Sequence, residues 1–138
     1  VRTLDGVDYY NDSFSSNPSS TLAAINSFEK PEILIMGGVD RGADFEHFVD
    51  EVSRLDKIKQ IILIGEIRSK LGKLMSDKGV QFEVKELDAK TMSEIVANAK
   101  ELASPGDVVL LSPGCASFDL FKDFYDRGDQ FRNEVKAL

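Results

Sequence analysis

The sequence predicts one α/β domain of Rossmann-like type, three layers deep, with a mostly parallel sheet between two sets of helices. Four short runs, Ile33-Leu34-Ile35-Met36, Ile61-Ile62-Leu63-Ile64, Phe82-Glu83-Val84 and Val108-Val109-Leu110-Leu111, have the length and β-branching of strands. Between them the apolar period lengthens to that of helices, and such alternation calls for a parallel sheet covered on both faces. The 138 residues suit a single domain, which at this size buries roughly two-thirds of its unfolded surface.

Each element follows from local pattern. Val7-Asp8-Tyr9-Tyr10 is a weaker fifth strand, and the pattern is already strand-like at Val1. Leu22, Ile25 and Phe28 mark a short helix from Pro18, a residue tolerated in a first turn. Phe45, Phe48, Val49, Val52 and Leu55 line one helical face, with Asp44 as its cap. Ile67, Leu71, Leu74 and Met75 form the next stripe, stopped by Lys78-Gly79. Met92, Ile95, Val96, Ala99 and Leu102 form another, ended by Ser104-Pro105-Gly106. A last helix carries Leu120, Phe121, Phe124, Phe131 and Val135, with a break expected at Gly128.

Composition narrows the function. Apolar residues make up 42% and charged residues 30%, as in ordinary globular chains. The net charge of −7 disfavours nucleic acid, which is held by clustered Lys and Arg. No apolar run approaches the roughly 20 residues of a membrane span, so no membrane partner is expected. Cys115 is the only cysteine and cannot form an intrachain disulfide, which favours a reducing cytoplasm. No stretch has the pattern of a signal peptide. The opening at Val1, without Met and inside a strand pattern, suggests a piece of a longer protein.

In open parallel sheets, ligands bind beyond the carboxyl ends of the strands. Three loops there, residues 11–17, 37–44 and 112–119, are rich in Gly, Ser, Asn and Asp. The Gly37-Gly38 loop, with Arg41, lets backbone amides approach an anion, but it is neither a G-x-G-x-x-G fingerprint nor a P-loop. A plain strand-to-helix turn explains it equally well. Ser117 stands where the last helix is expected to start, able to cap it or to meet an anion. Cys115 is not read as a nucleophile, because the lone His47 follows a different strand, and the two make no metal site. The loop Asn11-Asp12-Ser13-Phe14-Ser15-Ser16-Asn17 has more polar groups than caps require and suits a ribose or a polar acid.

Three segments together resemble the C-terminal domain of the Mur ligase family, in its D-glutamate-adding branch. They are YYNDSFSSNPSSTLAAI (residues 9–25), ILIMGGVDRGADF (33–45) and VVLLSPGCASFDLFKDFYDRGDQF (108–131), the last being the most specific. The resemblance implies a three-domain ligase whose N-terminal and central domains lie outside residues 1–138. It implies ATP-driven joining of D-glutamate to UDP-N-acetylmuramoyl-L-alanine, with the phosphates and Mg2+ held mainly by the central domain. It assigns Asp12, with Asn11, to the nucleotide. It assigns Ser16, Ser117 and Phe118 to glutamate, Phe124 to the pocket wall and Arg41 to a basic position. Phe14 departs from the family, which commonly has Lys there. A reading from another class is a stand-alone, non-catalytic module of this fold that binds a small acid or a nucleotide, and a P-loop upstream would distinguish the two.

Residues 1–138 contain no P-loop, so they are expected not to turn over ATP alone. Phosphate release with ATP, magnesium and D-glutamate should match a heat-killed control; sustained release would contradict the ligase-domain reading.

Overall fold

The computed structural model describes residues 2–138. In chain order the elements are β1 (Arg2–Leu4), β2 (Val7–Asn11), α1 (Pro18–Ile25), β3 (Glu32–Gly37), α2 (Glu46–Ser53) and β4 (Ile58–Ile64), then α3 (Arg68–Asp77), β5 (Glu83–Glu86), α4 (Met92–Leu102), β6 (Val108–Leu111) and α5 (Phe124–Lys136). The strands are ordered β1-β2-β6-β3-β4-β5. All pairs are parallel except β1 with β2.

β6 is last in sequence yet lies between β2 and β3, where Val109 is in register with Tyr9 on one side and Ile33 on the other. Its four residues are all buried, as expected for a strand covered on both faces. Alternation divides its side chains between two cores. Val109 and Leu111 join Ile33, Ile35, Ile62 and Ile64 under α4 and α5. Val108 and Leu110 join Leu34, Met36, Ile61 and Leu63 under α1, α2 and α3. Each such side chain contributes about 1.5–3 kcal/mol relative to exposure. These are the three layers read from the sequence.

Several boundaries differ. The three-residue β1 forms a hairpin with β2, turning at Asp5 and Gly6 with φ of 52° and 78°, the left-handed pair of a tight hairpin turn. β4 starts at Ile58 rather than Ile61, because Ile58 pairs with Glu32 beyond the polar Lys59 and Gln60. β5 runs over Glu83–Glu86 rather than ending at Val84. Asp44 does accept a hydrogen bond from the Glu46 amide at 2.9 Å, but Phe45 occupies the cap position of α2.

The last helix departs most from expectation. It begins at Phe124, not Leu120, since Asp123 accepts from the Asp126 amide at 2.8 Å and caps the helix there. It also runs unbroken through Gly128. A Cβ at that position would come within 3.0 Å of Asn11 Nδ2, so the glycine serves close packing of α5 on the β2 loop.

Glu32 opens β3 fully buried, with neither carboxylate oxygen hydrogen-bonded. Lys57 Nζ lies 3.7 Å from Oε2 and donates to the Phe28 carbonyl at 2.5 Å. Burial pushes the Glu32 carboxyl up to about 8 against the pull of Lys57. The folded chain therefore holds this proton more tightly than the unfolded chain. The resulting stabilisation is complete below the ordinary value of 4.5 and is lost as pH rises toward about 8. Glu32→Gln should remove this slope. By calorimetry its melting temperature should lie near that of wild type at about pH 5 and several degrees above it at about pH 8.

Candidate functional site

Because β6 returns between β2 and β3, the three polar loops open side by side at the carboxyl edge. Backbone hydrogen bonds join them. The Gly114 amide donates to Ser15 O at 2.9 Å, Gly37 to Pro113 O at 2.9 Å and Val39 to Ala116 O at 2.9 Å. The turn after β4, not singled out in the sequence, joins as a fourth member. There the Ile67 amide donates to Gly38 O at 3.0 Å, and Asp119 Oδ2 accepts from the Glu66 amide at 2.8 Å. Gly38 permits this approach: its φ is 148°, and a Cβ would sit 2.3 Å from Ala116 O.

The residues assigned to a nucleotide differ in how free they are. Asp12 Oδ2 accepts from the hydroxyls of Ser15 and Ser112, the latter at 2.7 Å. Asp12 Oδ1 has no partner among the described residues. Asn11 is engaged at both ends, its Oδ1 accepting from the Ser13 amide at 3.1 Å and its Nδ2 reaching Gly128 O at 3.5 Å. Its side chain thus shapes the loop.

Ser117 is 2% exposed, and its placement corrects one expectation. No helix starts there. The Leu120 and Phe121 amides donate to its carbonyl at 3.3 and 2.9 Å in an isolated turn, and α5 begins seven residues after it. Asp123 takes the cap, so the Ser117 hydroxyl caps nothing and has no partner among the described residues. The fully enclosed polar side-chain atoms without partners belong to Glu32 and Asn98, so Ser117 Oγ keeps an opening to the surface.

The remaining predicted residues fall into two groups. The Arg41 guanidinium lies over the exposed Phe118 ring, 5.3 Å from its centroid, a cation–π contact next to Ser117. Phe124 packs instead on Phe14 at 4.9 Å and Tyr125 at 4.3 Å. Phe14 and Tyr125 are largely exposed. Ser16 is exposed beside them, its hydroxyl donating to Phe14 O at 3.4 Å.

Arg127 was not anticipated. Its Nε donates to Ser13 Oγ at 3.0 Å, Nη1 to Cys115 O at 2.9 Å and Nη2 to Ser13 O at 2.6 Å. Ser13 Oγ in turn donates to Phe124 O at 2.6 Å. Burial lowers the Arg127 guanidinium to about 10 and pushes the Cys115 thiol up to about 12. A signal was available in the sequence. Arg127 lies three residues after Phe124 and four before Phe131, on the apolar stripe of α5.

The family description "Mur ligase, glutamate ligase domain" matches residues 1–115. The chain belongs to the Mur ligase family. It is 45% identical to the UDP-N-acetylmuramoylalanine–D-glutamate ligase of Clostridium botulinum strain Okra and 43% identical to that of Clostridium perfringens. In both cases the whole chain aligns with 30% of the relative's length. Solved structures agree on the fold. A domain assigned to a UDP-N-acetylmuramate:L-alanyl-gamma-D-glutamyl-meso-diaminopimelate ligase of Haemophilus ducreyi superposes with a TM-score of 0.62 at 11% identity, covering 99% of this chain and 94% of that one. The MurF ligase of Thermotoga maritima in complex with ADP gives 0.55 at 16% identity, covering 99% and 30%.

The single cysteine of this Mur ligase domain is 4% exposed, and its thiol is held neutral. Reactivity follows thiolate character and access. Iodoacetamide at neutral pH should therefore leave Cys115 unmodified in the folded chain and alkylate it fully in guanidinium, as read by intact mass.

Proposed function

We propose that this chain is the C-terminal domain of a cytoplasmic, ATP-dependent ligase that adds D-glutamate to UDP-N-acetylmuramoyl-L-alanine in peptidoglycan synthesis. The D-glutamate ligases to which the chain is 42–45% identical support the substrate pair. No helix among the described residues is long and apolar enough to cross a membrane. The observation that carries the site is Ser117, a nearly buried hydroxyl left without a protein partner where four loops meet.

The amino-acid substrate is held at that point. Ser117 Oγ donates to the side-chain carboxylate of glutamate, a charge-assisted hydrogen bond. Phe118 walls the pocket on the Arg41 side, whereas Phe124 and Ser16, which the resemblance also gave to glutamate, group with Phe14 and Tyr125 as a second patch. Arg41, steered by its contact with Phe118, places a cation beside the carboxylate. The nucleotide lies against the β2 loop. Asp12 fits a ribose, because Ser15 and Ser112 hold one carboxylate oxygen and leave the other to accept a hydroxyl proton; Asn11 fixes the loop behind it. ATP, when bound, supplies the phosphoryl group that activates the acceptor carboxylate. As the family resemblance implies, Mg2+ and the phosphates are assigned mainly to the central domain of the ligase.

Two substitutions in the full-length ligase test this division. Losing one hydrogen bond to a charged group weakens binding by about 1.5–3 kcal/mol. Ser117→Ala should therefore raise the D-glutamate KM by about one to two decades with the ATP KM unchanged. Its melting temperature should change little, since no internal hydrogen bond is lost. Asp12→Ala should raise the ATP KM with little effect on glutamate. Normal glutamate kinetics in Ser117→Ala would remove Ser117 from the site.

A further inference from the structure

We propose that Arg127 is a positioning residue, whose buried guanidinium fork locks the β2 loop and the β6 loop at one fixed separation. Arg is seldom fully buried without a carboxylate partner, yet Arg127 is 1% exposed. Its three hydrogen-bond acceptors are a hydroxyl and two carbonyls, all on the two loops. Its neighbours on the buried face of α5 are Gly128, Phe131 and Val135, of which Phe131 and Val135 pack into the core beneath the sheet. A leucine or methionine there would fill the stripe without desolvating a charge, often at no loss of stability. What only arginine supplies is a planar set of donors that reaches both loops at once.

The connections form a closed circuit. Arg127 takes both the hydroxyl and the carbonyl of Ser13, and Ser13 returns a hydrogen bond to Phe124 O in the same helix. On the other side it takes Cys115 O, two residues before Ser117. Ser13 directly follows Asp12. The guanidinium thus lies behind the two residues to which the proposed function gives the nucleotide and glutamate, and the kinetic part of this inference rests on that reading. Fixing the separation of two bound reactants affects their alignment more than the affinity for either, and small misplacements cost about 100-fold in rate.

The test uses Arg127→Lys, which keeps the charge and loses the fork, and Arg127→Met, which keeps the bulk alone, both in the full-length protein. In each, kcat should fall at least tenfold while the D-glutamate and ATP KM values stay within threefold. That split differs from the one expected of Ser117→Ala or Asp12→Ala. Hydrogen exchange by mass spectrometry should show residues 11–17 and 112–119 exchanging at least tenfold faster, with β3 and β4 unchanged. Recovery of wild-type kcat and exchange by Lys would reduce Arg127 to a charge and overturn the proposal. A kcat lowered only in proportion to the folded fraction, or faster exchange across the whole sheet, would overturn it too. Should the wild-type protein fail to use D-glutamate, the proposed function falls, while the exchange measurement still judges the inference.

Discussion

The constraint on which this structure depends is the burial of β6 between two neighbours. A strand formed last in the chain must find hydrogen-bond partners on both edges and apolar cover on both faces, and Val108–Leu111 can satisfy this only in the middle of the sheet. Once it is there, β2 and β3 are held one strand apart, and the loops that leave all three strands are forced together. The polar edge is thus a product of apolar packing several residues below it. Few of its side chains contribute to the core, which leaves their polar groups free for ligands.

At that edge two kinds of polar group coexist. Some are satisfied within the protein: the Asn11 amide, Asp119 with the Glu66 amide, and Arg127 with its two loops. Others are left open, namely the second oxygen of Asp12 and the hydroxyl of Ser117. The first kind keeps the loops in place, so the second kind need not be ordered when a ligand arrives. Ordering that precedes binding lowers the entropic cost of association. Burial of Cys115 beneath the same loops keeps its thiol neutral and out of reach.

Much of this was legible in the chain. The runs at Ile33, Ile61 and Val108 stand out because a strand buried on both faces tolerates no polar interruption. The three polar loops were found from the strand ends, and the strand order brings them together. The start of α5 was not legible, because Ser117, Asp119 and Asp123 are all residue types that cap helices and the local pattern does not choose among them. Only the fold shows that Asp119 is taken by a backbone amide 53 residues away in sequence. Ser117 was misplaced onto a helix end for that reason. The opening of the chain was read as strand-like without the Asp5-Gly6 turn that separates β1 from β2, and Arg127 was not singled out because its acceptors, Ser13 and Cys115, come from other parts of the chain.

The rims of the sheet have a consequence for how the domain behaves among its own kind. β5 forms one rim with the sequence Glu-Val-Lys-Glu, whose charges oppose the docking of a foreign strand. β1 forms the other, where the Arg2 guanidinium is tied to the carbonyls of Val135 and Lys136 at the end of α5. Among the described residues, neither rim offers a long apolar template. The apolar strands of the centre, which would be the most hazardous if left unpaired, are the ones farthest from either side. The hairpin that the Asp5-Gly6 turn creates therefore acts as a selvedge, finishing the weave so that it neither unravels nor catches on another molecule.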